Sequence, residues 1–165
     1  MDAIRAVRIV SNNVDIPVFL HICGSIRDKR YFDRMRDYIE THKIGYVTIH
    51  NFTNNLPQIR GISDIGLTCS TSEALGRVTI ENMLSSMLVI GADTYGTTEI
   101  IRDGENGLLY PSGDYHALAE VLLNSIRDPE KSNKMRAAGY SEASSYDNQE
   151  YACRIADIYR TIIRR

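Results

Sequence analysis

The sequence predicts a single α/β domain built on a doubly wound parallel sheet, and three observations carry that expectation. Short apolar runs alternate with longer amphipathic stretches along the whole chain, and the turns between them are brief. The length of 165 residues suits one domain with a real core and is too short for two. Internal repeats, low-complexity tracts and evident linkers are absent from the sequence.

Each element follows from local pattern. Ile4, Val7, Ile9 and Val10 recur at helical spacing and give a first helix, ended by Asn12-Asn13. Pro17 precedes an apolar strand over 18–24 that runs into Gly24, and Asp28 can cap a helix over 31–40 with Tyr31, Met35, Tyr38 and Ile39 inward. A strand over 45–49, a short helix around Leu56 and Ile59, and a strand over 64–69 follow. Next come a helix over 78–87, a strand over 88–91, a helix over 97–102 and a last short strand over 107–111. Asp114 caps a helix over 115–126, and Pro129 starts another that stops near Gly139. A final helix over 149–163 belongs to a C-terminal helical extension, 140–165, of the single domain 1–165.

The totals exclude several classes. Apolar residues make up 43% and charged residues 24%, ordinary for a globular protein, and the net charge of −2 offers no basic face for nucleic acid. Cys23, Cys69 and Cys153 are odd in number and far apart; Cys23 and Cys69 each end an apolar run and read as small buried hydrophobes in a reducing compartment. No apolar run approaches the ~20 residues that span a bilayer, and the N-terminus lacks the basic and apolar regions of a signal peptide. The expectation is a cytoplasmic protein, with room for a peripheral membrane contact.

The stretch that organises the chain is Ser70-Thr71-Ser72-Glu73-Ala74-Leu75-Gly76-Arg77-Val78-Thr79-Ile80-Glu81. An apolar run, a glycine-bearing loop and a helix start are where open α/β sheets place a ligand. Glu73 and Glu81 would lie about 80° apart in projection if both were helical, so they share no face within one helix. With Glu73 in the loop and Glu81 in the first turns, they could converge on one ligand. Gly76 lets backbone approach closely, the following helix start offers unpaired N–H groups to a phosphate, and Arg77 adds a guanidinium. The alternative is a capped helix with solvated charges, and spacing alone does not separate the two.

A second junction, Gly91-Ala92-Asp93-Thr94-Tyr95-Gly96-Thr97-Thr98-Glu99, would set another helix start beside the first, or is a short helix capped by Thr97. Gly24 ends the first strand in a third glycine turn. The four histidines, His21, His42, His50 and His116, are scattered, with no partner at metal-ligand spacing. D-x-D, G-x-G-x-x-G, G-x-x-x-x-G-K-[ST] and G-x-S-x-G are all missing, which leaves dinucleotide, P-loop and α/β-hydrolase readings without a motif.

Ser70-x-Ser72-Glu73-Ala74-Leu75-Gly76-Arg77-Val78-x-x-Glu81 resembles the E-x7-E signature of retaining, nucleotide-sugar-dependent glycosyltransferases of the GT-B class, the group 1 family. Its surroundings resemble the family in the same order: Asp64-Ile65 before the motif, the segment from Leu88 through Asp93, Gly96, Glu99 and Ile101 after it, then Gly104, Asn106-Gly107-Leu108-Leu109 and Gly113-Asp114 with Leu118-Ala119. The resemblance implies a Rossmann-like sheet forming the C-terminal half of a GT-B fold, which binds a hexose-type sugar on a nucleoside diphosphate. On that basis Glu73 is the catalytic residue against the transferred sugar, Glu81 binds the ribose, and Gly76, Arg77 and Val78 face the diphosphate. Gly24, Thr94, Gly96 and Thr97 complete the donor site, and the strand end near His50 lies by the base. No cofactor and no metal is expected.

The chain departs from the family pattern at Leu75, where Phe is common, at Tyr95 and Asn51, where Gly is common, and at Cys69, where Pro is frequent. Tyr95 is expected to crowd its loop. The family's first strand, which would sit between the strands over 18–24 and 64–69, has no counterpart here. Its place is a gap of about 9–10 Å, two strand spacings, that either closes up or takes a strand from the acceptor-binding N-terminal domain or a neighbouring chain. The chain alone is therefore expected not to transfer sugar. A degenerate non-catalytic nucleotide-binding module, and more distantly a nucleotide-sugar epimerase fragment, are the competing readings.

Overall fold

A computed structural model describes residues 1–74, 76–146, 153, 156–157 and 159–160; of the helix expected over 149–163 only 153, 156–157 and 159–160 are among them, all helical, and the departure at Leu75 lies outside them. The described chain alternates α1 (Asp2–Ser11), β1 (Leu20–Cys23), α2 (Lys29–Thr41), β2 (Val47–His50), α3 (Leu56–Gly61) and β3 (Ile65–Thr68). It continues through α4 (Arg77–Leu84), β4 (Leu88–Ala92), α5 (Tyr95–Thr98), β5 (Leu108–Tyr110), α6 (Tyr115–Arg127) and α7 (Pro129–Ala143).

All ladders are parallel, as the alternation of strand and helix requires. They form two sheets rather than one. β1 pairs with β2, from Leu20 opposite Val47 to Cys23 opposite His50. β4 lies between β3 and β5, with Ile65 opposite Leu88 and Ile90 opposite Leu108. Among the described residues no ladder joins β1 to β3, so the single sheet is interrupted where the sequence reading places its gap, and the two strands do not close up on each other. Peptide groups alternate sides along a strand. Leu20 N–H donates to Tyr46 O in β1's partner segment, and Asp64 O accepts from Leu88 N–H. The N–H groups of His21, Cys23, Ile65 and Leu67 consequently point to the two unpaired edges.

One apolar core nevertheless runs under both sheets. Ile4, Ala6, Val7 and Val10 on α1 pack with Leu118, Ala119 and Leu122 on α6, and the cluster continues through Leu20, Ile44, Leu88, Ile90 and Tyr110. All five residues of β4 are buried, the environment of a central strand in a covered parallel sheet. The helix starts at Asp28 and Asp114 use the expected caps, Asp28 accepting from Tyr31 N–H and Asp114 from His116 and Ala117 N–H; before Pro129 the structure adds a third, Asp128 accepting from Lys131 N–H.

Several elements differ from the sequence expectation. α2 contains no fully buried residue, and Tyr31 is exposed; Met35, Tyr38 and Ile39 carry its packing. α4 stops at Leu84, with Ser86 in a left-handed turn at φ 56°. α7 passes through Gly139 to Ala143, because that glycine allows close approach rather than termination: a Cβ there would lie 2.8 Å from Asn106 O. Cys23 and Cys69 are half-buried, not fully buried, and burial raises both thiols above their ordinary range.

Asn106 fastens the C-terminal part of the fold. Its side chain is 1% exposed, accepts from Arg102 N–H at 2.7 Å, and donates to Ile100 O at 3.0 Å and to Glu142 Oε2 at 2.6 Å. Arg102 also grips Glu142 with both terminal nitrogens and, with Asn106, holds that carboxyl below its ordinary value. Asn106→Ala strands these partners, and about 2–4 kcal/mol of stability should be lost. Urea unfolding is expected to show a lower midpoint with an unchanged slope.

Candidate functional site

The candidate site lies at the carboxyl ends of β3 and β4, where two glycine-bearing loops meet. Gly76 occupies the left-handed region at φ 66° and ψ 27° and forms the N-cap of α4. Its N–H donates to Glu73 Oε1 at 3.1 Å, and its carbonyl accepts from Thr79 N–H at 2.9 Å. The second loop is stitched to the first through backbone: Gly96 N–H donates to Glu73 O at 2.9 Å. A Cβ on Gly96 would lie 2.7 Å from Glu73 O and 2.8 Å from Ala74 C, so no side chain fits there. Below the loops Thr68 and Thr79 hydroxyls sit 3.1 Å apart in a buried pair that ties the end of β3 to α4.

These contacts bring Glu73, Gly76 and Gly96 together, with Arg77 and Val78 exposed at the start of α4. The leading N–H groups of a helix have no acceptor inside it, which in α4 applies to Arg77 and Val78, Thr79 N–H being taken by Gly76 O. Thr94 adds a half-buried hydroxyl, within 3.4 Å of the Thr97 hydroxyl. Thr97 differs from expectation. It lies inside α5, which starts at Tyr95, rather than capping it. Its side chain is 0% exposed and packs on Gly91, and its N–H donates to Thr94 O. Neither its hydroxyl nor its N–H is offered to a ligand. Tyr95 does not crowd the loop; it is 86% exposed and stands into solvent.

Gly24 belongs to the other sheet, where its N–H donates to His50 O at 3.3 Å. Two of the four histidines meet there, His21 Nδ1 lying 3.0 Å from His50 Nε2, a pair made by strand register that linear spacing does not reveal. Among the described residues no set of three His, Cys, Asp or Glu side chains is arranged to hold a metal.

The residue that sequence reasoning missed is Arg60, on α3. Its Nη2 donates to Glu81 Oε2 at 2.5 Å and its Nε to Asn82 Oδ1 at 3.2 Å. Burial raises the Cys23 thiol, and the Arg60 guanidinium offsets part of that rise. Arg77 approaches the other oxygen of Glu81 at 3.9 Å only. Local spacing would pair Arg60 with Asp64, four residues on, whereas its partner Glu81 is 21 residues away, so nothing local signals the pair.

The two-loop stitch has a direct test. Gly96→Ala drives a methyl into the Glu73–Ala74 backbone, which cannot give as a side-chain tip could, and should destabilise the chain by about 1–3 kcal/mol. Thermal or urea unfolding measures it; a variant as stable as the parent would show that the loops are not held in contact.

Comparison with known proteins places this arrangement. The sequence pattern of the family described as "Glycosyl transferases group 1" matches residues 2–142. EpsD of Bacillus subtilis (strain 168) is 31% identical over 114 residues, covering 69% of this chain and 30% of EpsD. The phosphatidyl-myo-inositol mannosyltransferase of Mycobacterium leprae is 33% identical over 90 residues, covering 54% of this chain and 24% of that protein. The chain thus spans less than a third of the length of these relatives. The crystal structure of Anabaena Alr3699/HepE in complex with UDP superposes with a TM-score of 0.83 at 24% identity, over 93% of this chain and 44% of that one, a likeness of fold. With its two parallel sheets and flanking helices matching the Rossmann-like C-terminal half of GT-B glycosyltransferases, the chain belongs to the group 1 glycosyl transferase family.

Proposed function

We propose that this chain is the donor-binding half of a glycosyltransferase that moves a hexose-type sugar from a nucleoside-diphosphate sugar with retention of configuration, and that it does not transfer sugar alone. The observation that carries the reading is the pair of interlocked loops, Glu73–Gly76 against Gly96, beside the first turn of α4. In this reading the diphosphate lies at the start of α4, where N–H groups of Arg77 and Val78 and the exposed Arg77 guanidinium oppose its growing negative charge as the bond to the sugar breaks. Glu73 spends Oε1 on Gly76 N–H and keeps Oε2 for a hydroxyl of the sugar. Glu81, in the second turn, accepts from the ribose, while Gly24 and the His50 end of β2 lie by the base. Thr94 and Gly96 close the other side. The chemistry asks for no metal and no cofactor.

The bound UDP of the Anabaena structure supports a nucleoside diphosphate as the ligand. One observation favours the runner-up, a binding module without chemistry: the Glu73 carboxylate is already engaged in shaping its own loop. Calorimetry or saturation-transfer NMR with UDP-, GDP- and ADP-sugars tests the main reading. At least one should bind at up to millimolar concentration, Glu81→Ala should weaken it about tenfold or more, and no sugar should be transferred by the chain alone. No binding to folded protein sinks the donor reading, and unchanged binding by Glu81→Ala sinks the ribose assignment.

The reading also assigns an occupant to the edges between β1 and β3: one further parallel strand, from the acceptor-binding half of the enzyme or from a neighbouring chain. The observation is the absence of any ladder there among the described residues. In the chain alone at low concentration, the amides of His21, Cys23, Ile65 and Leu67 should exchange rapidly while Gly66 and Ile90 are protected. Equal protection of all six would mean that the edges are already paired.

A further inference from the structure

Arg60 is anchored before it reaches Glu81. Asn82 fills the space above Gly66, where a Cβ would lie 2.5 Å from Asn82 Nδ2, so β3 fixes the Asn82 side chain against α4. Asn82 Oδ1 then takes the Arg60 Nε–H at 3.2 Å, and the guanidinium is left with Nη2 on Glu81 Oε2 at 2.5 Å. Side-chain exposure falls from 38% at Glu81 to 14% at Arg60, so the cation is the covered member and the carboxylate the presented one. Arg77, the other cation near Glu81, is 78% exposed and 3.9 Å away, too loose to fix an orientation. A planar guanidinium bound at two points holds direction as well as charge, which a flexible ammonium does not. An open cleft lined by Pro57, Arg60, Gly61, Glu81, Leu84 and Ser85 runs beside the pair.

We propose that Arg60 is a positioning residue of the nucleotide site: it holds Glu81 by Oε2 so that Oε1 is aimed at ribose hydroxyls, and it thereby sets the preference for a ribonucleotide over a deoxynucleotide. The inference rests on the donor-binding reading above and adds to it the residue that aligns the ribose acceptor. Without Arg60 the carboxylate rotates and hydrates freely, and each ribose bond must first immobilise it. With Arg60 in place that ordering is already made when the nucleotide arrives. The effect belongs to the ribose and to nothing else on the ligand.

The test compares ribose with its hydroxyl-free form. UDP, GDP and ADP are screened on the 165-residue chain by calorimetry, and the tightest is measured against its 2′,3′-dideoxy form. The parent chain should favour the ribonucleotide by on the order of tenfold or more, as loss of charge-assisted bonds implies. Arg60→Gln should lower ribonucleotide affinity about tenfold, leave the dideoxy form within about threefold, and so abolish most of the preference; Arg60→Lys should restore only part of it. Arg60→Gln combined with Glu81→Gln leaves neither charge unpaired, which guards against misfolding, and should bind like Glu81→Gln alone. Equal weakening of both ligands by Arg60→Gln, an unchanged preference, or further loss in the double variant overturns the role of Arg60 while the donor reading stands. If no nucleoside diphosphate binds the parent chain, both fall together.

Discussion

The contact on which the site depends is between two backbones. Gly96 N–H reaches Glu73 O because neither a side chain nor a β-carbon stands between the loops that follow β3 and β4. Two strand ends in a parallel sheet are about one strand spacing apart by construction. Their loops, however, have no ladder to align them, and without this bond each could close over its own strand. The stitch makes one rim from two loops, and everything placed on that rim inherits its position: Glu73 through its own carbonyl, Gly76 through the Glu73 carboxylate, and the first turn of α4 through Gly76.

A second constraint works sideways. α3 follows β2 and α4 follows β3, so the Arg60–Glu81 pair ties an element of the β1–β2 sheet to one of the β3–β4–β5 sheet. Exposed ion pairs contribute little to stability, and this one is half sheltered with its cation further fixed by Asn82. Its value lies in geometry more than in energy. It registers the two halves of the domain at the level of a residue that faces the cleft.

What could be read in the sequence was whatever is local. The apolar runs, the aspartate caps at Asp28 and Asp114, the helix start at Pro129, and the loop with Gly76 at the head of α4 all act within a few residues of themselves, and the structure has them where the pattern puts them. What could not be read was decided across the chain. Gly139 resembles a helix stop until Asn106 is seen pressed against it. Thr97 looks like a cap until Gly91 is found to leave a socket for its methyl, after which the helix must begin at Tyr95. Arg60 looks like an unremarkable surface charge because its partner is 21 residues away. The interrupted sheet was legible only through the order of strands that a family resemblance supplies.

The break between the sheets has a further consequence for how the chain comes together. Every ladder in the described structure links strands that follow one another along the chain with a single helix between them, so each half can assemble from near neighbours. Uniting the halves is left largely to packing: α1 sits on α6 across roughly a hundred residues of intervening chain and reaches α2 through the bond from Arg8 to the Tyr38 hydroxyl. Loop-closure entropy falls on that junction, and no hydrogen-bonded ladder repays it there. Cooperativity between the halves is therefore carried largely by apolar surface, the shared cluster that runs from Leu20 and Ile44 through Ile4, Val7 and Val10 to Leu118 and Leu122.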